Sequence, residues 1–191
     1  MDKTFNIIIV GVGGQGLITL NNIIARAAFY DGYDIRTSEL HGLSQRAGSV
    51  ETHLRFGKKV YSPLIVAGKA DLVLGLEITE GLRAIKFSNP KTVFVVNNNY
   101  IFFMENISKK EIEEKIKLLV GDNLRLVPAS EICGKKFGKE VVSSVYLLGY
   151  CVFKNLIPLK PSSVLRAIKE TIPEKYLDLN KKAFNLANSH D

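Results

Sequence analysis

The sequence predicts an α/β fold: a Rossmann-like, mostly parallel, doubly wound sheet with extra C-terminal helices. Three observations carry that expectation. Short apolar runs, FNIIIV at 5–10, DLVLGLE at 71–77 and KTVFVVN at 91–97, have the length and composition of strands buried on both faces. Segments with apolar residues at helical spacing alternate with them, which favours parallel strands joined by crossover helices. A glycine-rich turn closes the first run and opens the first helix.

Taken in order, residues 5–10 form the first strand and end in glycines. Leu17, Leu20, Ile24 and Ala27 or Ala28 mark one face of a helix that Gly32 ends. A second strand is expected at 33–38. Residues 49–56 alternate, with Val50, Thr52, Leu54 and Phe56 on one side and Ser49, Glu51, His53 and Arg55 on the other. That is the pattern of a half-exposed strand lying towards a sheet edge, with His53 exposed. A helix at 79–87 separates the runs at 71–77 and 91–97. Ser108 and Glu111 are spaced as a capping box, and Ile112, Ile116, Leu119 and Val120 stripe the helix that follows.

NLRLVPA at 123–129 reads as the last strand. Beyond it the chain is helical, over 130–136, 139–154, 162–171 and 174–188, with Pro158, Pro161 and Pro173 between pieces. No repeat, low-complexity tract or linker interrupts the sequence. It is therefore read as one domain over 1–191: an α/β core at 1–129 and a helical part at 130–191 packed on it.

Composition narrows the function. The net charge is +7, but basic residues alternate with acids and no block of like charge occurs. This is a solvated surface with a mild attraction for anions, and it excludes an evident nucleic-acid stripe. Two cysteines, Cys133 and Cys151, are too few for an iron–sulfur cluster, which takes about four thiolates, and both sit in apolar surroundings. The start lacks the features of a signal peptide, and VVSSVYLLGYCVF at 141–153 is too short and polar to span a bilayer. A cytoplasmic protein without membrane contact is expected. No metal-ligand cluster and no nucleophile–base pair is evident, so no metal and no catalytic residue is expected on this chain alone.

Two segments carry candidate chemistry. Gly11, Gly13, Gly14, Gln15 and Gly16 lie in a G-x-G-x-x-G pattern between a strand and a helix. Glycines there allow a tight turn, close ligand approach and an anion at the helix N-terminus. The same glycines also suit packing alone, a phosphate-like group, or a dinucleotide. For a nicotinamide dinucleotide, an acid should end the second strand. Asp34 lies too early and Glu39 just past the expected end. The second segment, SELHGLSQRAGS at 38–49, leaves the sheet on the ligand-binding side and gathers His41, Gln45, Arg46 and Ser49. Arg46 has the fork that clamps a carboxylate or phosphate, and His41 can donate, accept or carry charge near neutrality.

Four stretches resemble a known family: GVGGQGLIT (11–19), ELHGLSQRAGSVETHLRFG (39–57), SPLIVAGKADLVLGLE (62–77), and FGKEVVSSVYLLG (137–149) with LNKKAFNLA (179–187). They are similar to the gamma-type domain of 2-oxoacid:ferredoxin oxidoreductases, and within it to the small beta subunits of the indolepyruvate type. At 139–144 the chain reads KEVVSS where the family has a small residue and an asparagine.

The resemblance implies an accessory subunit of a thiamine-dependent oxidoreductase, inactive alone. Its large (alpha) subunit would hold thiamine diphosphate, Mg and the iron–sulfur clusters, and would pass electrons to ferredoxin. Coenzyme A would be the co-substrate of an oxidative decarboxylation to an acyl-CoA, and this chain would complete the coenzyme A side of the site. His41, Gln45, Arg46 and Ser49 would face the partner, and the glycine loop would hold a phosphate-like group. In agreement, Gly121-Asp122 is not followed by the paired asparagines of a thiamine–magnesium motif. The rival reading is a free-standing NAD(P)-binding Rossmann dehydrogenase.

Overall fold

A computed structural model describes residues 3–42, 48–102 and 107–189. Within them, strands β1 (Phe5–Val12), β2 (Asp34–His41), β3 (Ser49–Gly57), β4 (Leu72–Gly75), β5 (Val93–Asn97) and β6 (Leu124–Val127) form one sheet in the order β2-β3-β1-β4-β5-β6. β1, β4, β5 and β6 run parallel, whereas β3 is antiparallel to both β1 and β2. The helices are α1 (Leu17–Tyr30), α2 (Ile78–Arg83), α3 (Lys109–Val120), α4 (Ala129–Phe137), α5 (Ser143–Phe153), α6 (Pro161–Thr171) and α7 (Glu174–Leu186). The α/β fold and the mostly parallel sheet are as expected.

β1 explains why its sequence is a continuous apolar run. Ile7 and Ile9 enter a core with Leu20, Ile23 and Ile24 of α1, Leu147 of α5, Ile168 of α6 and Phe184 of α7. Ile8 and Val10, on the opposite face, enter a second core with Ile78 of α2 and Ile112 and Ile116 of α3. Period-two side-chain alternation on a strand covered on both faces leaves no polar position from Ile7 onward. The helices after β6 thus share one apolar cluster with α1 and the sheet. The capping box at α3 forms as its spacing predicts: Ser108 Oγ accepts from the Glu111 N–H, and Glu111 Oε2 accepts from the Ser108 N–H at 2.7 Å.

β3 departs from expectation. It lies between β1 and β2, so β2 is the edge and β3 is interior. Nor is its second face open. The connection between β3 and β4 folds back across it, with Arg55 Nη1 donating to the carbonyls of Ser62 and Leu64 and Ile65 buried in the second core. His53 is therefore buried, at 3% exposure, and not a solvated strand residue. Its Nδ1 accepts the Ile65 N–H at 2.9 Å, which leaves Nε2 as the protonated nitrogen facing Glu51 Oε1 at 3.0 Å. Alternation revealed which residues share a face but could not show what later chain would cover the polar one.

α5 and α7 approach each other closely at Gly149. A Cβ at Gly149 of α5 would stand 2.5 Å from the Phe184 carbonyl oxygen and 3.0 Å from Ala187 Cβ. Gly149→Ala should therefore destabilise the chain by about 1–3 kcal/mol, the range for overpacking a filled interior. A Cβ at Gly134 of α4 would meet nothing closer than Glu140 Cγ at 3.5 Å. Gly134→Ala should instead raise stability by about 0.5–1 kcal/mol through helix propensity. Thermal unfolding of the two variants beside the parent protein checks both signs.

Candidate functional site

β1 ends at Val12, and residues 13–16 turn the chain into α1. Gly14 and Gly16 hold φ of +102° and +80°, conformations that strain any L side chain, and both are exposed. Gly11, still within β1, is required for a different reason: a Cβ there would lie 2.7 Å from Gln15 Oε1 and 3.1 Å from Leu76 Cβ. Gln15 turns inward. Its Oε1 accepts the Val12 N–H at 2.8 Å and its Nε2 donates to the Leu76 carbonyl at 3.3 Å, so the side chain locks the turn to the exit of β4. The Gly13 N–H is taken by the Gly48 carbonyl at 2.9 Å.

The start of α1 is left uncapped. Gly16 offers no capping side chain, no acid lies in the first turn, and the first helical N–H to find a carbonyl from this turn is that of Leu20, on Gly16. The amides of Leu17, Ile18 and Thr19 precede it, at the positions where a helix has N–H groups to spare. These three residues line a cavity of about 470 Å³ together with Gly13, Gly14 and Gly16. Its far wall is Glu39 and His41 from the end of β2, with Val50 of β3. Asn21 Nδ2 reaches Glu39 Oε1 at 3.4 Å, while the buried Asn21 Oδ1 has no hydrogen-bond partner among the described residues. A second cavity of about 530 Å³ shares Gly16 and Thr19 and opens on the other side, against Val141, Ile172 and Tyr176, with Lys139 in its lining.

The sequence-predicted residues thus divide. Gly13, Gly14, Gly16 and His41 come together around the first cavity. Gln15 supports the turn from behind. Ser49 is turned away from that cavity, its hydroxyl donating to Glu80 Oε2 at 2.5 Å. Gln45 and Arg46 lie outside the described residues.

Two functional candidates were missed. Glu77 has no exposed surface; it accepts the Glu80 N–H at 2.9 Å, the Thr79 hydroxyl at 3.1 Å and the Ile101 N–H at 3.2 Å. Burial raises its carboxyl pKa above the usual range. Glu80, at 4% exposure, joins Ser49 to Arg83, whose Nη1 lies 2.7 Å from Glu80 Oε1. Their position immediately beyond a strand's carboxyl end was the available signal.

The strand order also bears on the dehydrogenase reading. With β3 inserted between β1 and β2, Glu39 stands two strands from the glycine-bearing strand, about 10 Å across the sheet. A ribose-binding acid belongs on the neighbouring strand. Asp34 is at the opposite end of β2, where it accepts the Val60 N–H at 2.8 Å and pairs with Arg36. Among the described residues no group of three or more His, Cys, Asp or Glu is placed to hold a metal ion, and no helix is long and apolar enough to cross a membrane.

Residues 6–189 match the family model described as pyruvate ferredoxin/flavodoxin oxidoreductase. The chain belongs to that family. It is 40% identical over 187 residues to indolepyruvate oxidoreductase subunit IorB of Archaeoglobus fulgidus, covering 95% of this chain and 92% of the relative. Among solved structures, the gamma subunit of a keto/oxoacid ferredoxin oxidoreductase from Geobacter sulfurreducens superimposes with a TM-score of 0.70 at 22% identity, over 97% and 96% of the two chains. The 2-oxoglutarate:ferredoxin oxidoreductase of Magnetococcus marinus, solved with 2-oxoglutarate, coenzyme A and succinyl-CoA bound, gives 0.75 at 17% identity. There the match covers 99% of this chain and 31% of the longer one. The expected family and fold are both borne out, and nothing favours the dehydrogenase.

Within this family member, Gln15 makes a testable structural demand. Gln15→Ala leaves the N–H of Val12, itself 3% exposed, without its acceptor. An expected cost of about 1–3 kcal/mol follows for an unsatisfied buried donor. Gln15→Glu keeps that acceptor but sets a carboxylate oxygen against the Leu76 carbonyl, so it should rescue stability only in part. Chemical denaturation of both variants provides the measurement.

Proposed function

We propose that this chain is the small subunit of an indolepyruvate-type 2-oxoacid:ferredoxin oxidoreductase. In this reading the whole chain, 1–191, acts as one cytoplasmic domain. Its carboxyl-end face closes against a large subunit and completes the coenzyme A side of the active site. The observation that carries the reading is the uncapped start of α1, opening through side-chain-free glycines into a cavity on that face. It is an anion-binding scaffold that lacks a catalytic set of its own.

Thiamine diphosphate, Mg and the iron–sulfur clusters belong to the large subunit; bound there, they supply the decarboxylation chemistry and the electron path to ferredoxin. Two cysteines in the entire chain, both buried, fall short of a cluster's usual four thiolates. The residues of this chain bind and orient. Amides at 17–19 receive a phosphate-like group of coenzyme A, and Gly14 and Gly16 let it approach the backbone. Glu39 and His41 form the opposite wall and select against a ligand that cannot hydrogen-bond there. Arg46, with Gln45 beside it, meets a carboxylate or phosphate across the interface.

The test is 2-oxoacid-dependent reduction of ferredoxin by the two-chain complex, with coenzyme A and large subunit titrated separately. His41 is exposed, so His41→Ala should leave the melting of the isolated chain within about 0.5 kcal/mol of the parent protein. Arg46→Ala should weaken the assembled enzyme by about 2–5 kcal/mol, as for one partner of a buried charge pair, and Arg46→Lys should restore only part. Parental activity of Arg46→Ala at limiting coenzyme A and limiting large subunit would remove it from the site. Turnover of NAD(P) by the small chain alone would overturn the reading.

A further inference from the structure

Three separate pieces of the carboxyl edge converge on one short turn, Leu76–Glu80. The Leu76 carbonyl accepts Gln15 Nε2 from the glycine loop at 3.3 Å and Asn97 Nδ2 from the end of β5 at 3.2 Å. The Ile78 N–H donates to the Asn99 carbonyl at 3.0 Å. Glu77 takes the Ile101 N–H, and Glu80 takes the Ser49 hydroxyl at the start of β3. Because the Gly48 carbonyl holds the Gly13 N–H, the Glu80–Ser49 link reaches the glycine loop by a second route. The two acids are themselves joined, since the Glu80 N–H donates to Glu77 Oε2.

We propose that Glu77 and Glu80 are positioning residues: they fix the glycine loop, the start of β3 and the exit of β5 relative to one another, in the arrangement that receives coenzyme A in the assembled enzyme. The proposal rests on the reading of this face given above. Capping α2 alone does not account for Glu77. Asp, Asn or Ser is preferred at an N-cap, and a shorter side chain would serve α2 as well or better. The extra methylene of glutamate is what lets the same carboxylate also meet the Ile101 N–H from another loop. A fully buried carboxylate is costly, and here it is compensated by three donors from two segments. Glu80 divides its oxygens in the same way, Oε1 on Arg83 of its own helix and Oε2 on Ser49 of a distant strand.

The full chain, alone and in complex with its large subunit, provides the test. Ser49 is exposed, so Ser49→Ala cuts the Glu80 link without emptying a core site, and Glu80→Gln alters it from the other end. Glu77→Asp keeps a good cap for α2 but withdraws from Ile101. In the isolated chain, amide exchange should accelerate at Gly13 and 48–50 for Ser49→Ala and Glu80→Gln, and at 99–102 for Glu77→Asp. In the complex, KM for coenzyme A should rise roughly tenfold, the factor that corresponds to about 1.4 kcal/mol, while kcat changes much less.

The Ser49→Ala/Glu80→Gln double variant should be no worse than the poorer single one, as for two ends of one link. Unchanged exchange, additive effects, or an unchanged KM in a complex that depends on this chain would overturn the positioning role alone. A large subunit that turns over fully without this chain would instead overturn the functional reading on which the proposal rests.

Discussion

Ile7 and Ile9 point into one core and Ile8 and Val10 into the other, so β1 has no side on which to tolerate solvent or a shift of register. A slip of one residue would exchange the side chains offered to α1 and to α2 and α3. The parallel pairing of Ile7 with Leu72 and Ile9 with Leu74 then fixes β4 beside it, and antiparallel pairing of Val12 with Ser49 fixes β3. Both immediate neighbours of the glycine loop, the exit of β4 and the start of β3, are therefore set by the same strand that delivers the loop. The glycine turn is held at a defined place because the strand that delivers it also fixes the two segments that bind it.

The inserted antiparallel strand sets this sheet apart from an ordinary dinucleotide fold. In an ordinary dinucleotide fold the second strand lies next to the first, and its terminal acid closes over the ribose. Here the chain leaves α1, runs along the sheet edge as β2, and returns as β3 between β2 and β1. The wall opposite the helix N-terminus is thereby moved outward by one strand. Its polar groups are Glu39 and His41 on an exposed edge, beside Val50 of β3. An outward wall carried on an edge strand suits a site completed by another chain better than one that encloses its ligand alone.

Features set by neighbouring residues were legible in the sequence: the glycine turn, the Ser108–Glu111 capping box, the α1 stripe and the proline-separated helices all stand within a few residues of their expected bounds. Features set by distant chain were not. His53 alternates as a polar strand residue should, but later chain covers it: Phe87 packs edge-on to its ring and the Ile65 N–H uses its Nδ1. Ser49 reads as one more polar residue in a polar loop, yet its partner is 31 residues further on. Gln15 looks like a ligand-facing insertion, but Leu76, 61 residues away, accounts for its orientation. Of the predicted residues, Gly13, Gly14, Gly16 and His41 share one cavity, while the direction in which Gln15 and Ser49 face is decided by tertiary contacts. Family membership was legible because the motifs keep their order along nearly the whole chain.

The two cysteines, described above only as too few for a cluster, also make the fold sensitive to alkali. Both are free and fully buried, and burial alone pushes the Cys133 thiol from its ordinary value of 9.0 up to about 11, with Cys151 raised further still. Well below pH 9 the folded and unfolded chains both keep these protons, and the cysteines add no pH dependence. As pH climbs from about 9 towards 11 the unfolded chain releases the Cys133 proton while the folded chain retains it. Each step upward therefore draws the equilibrium towards unfolding. The same concealment keeps thiolate scarce in the folded protein, so the rate at which thiol reagents label it becomes a measure of how often the helical layer over the sheet opens.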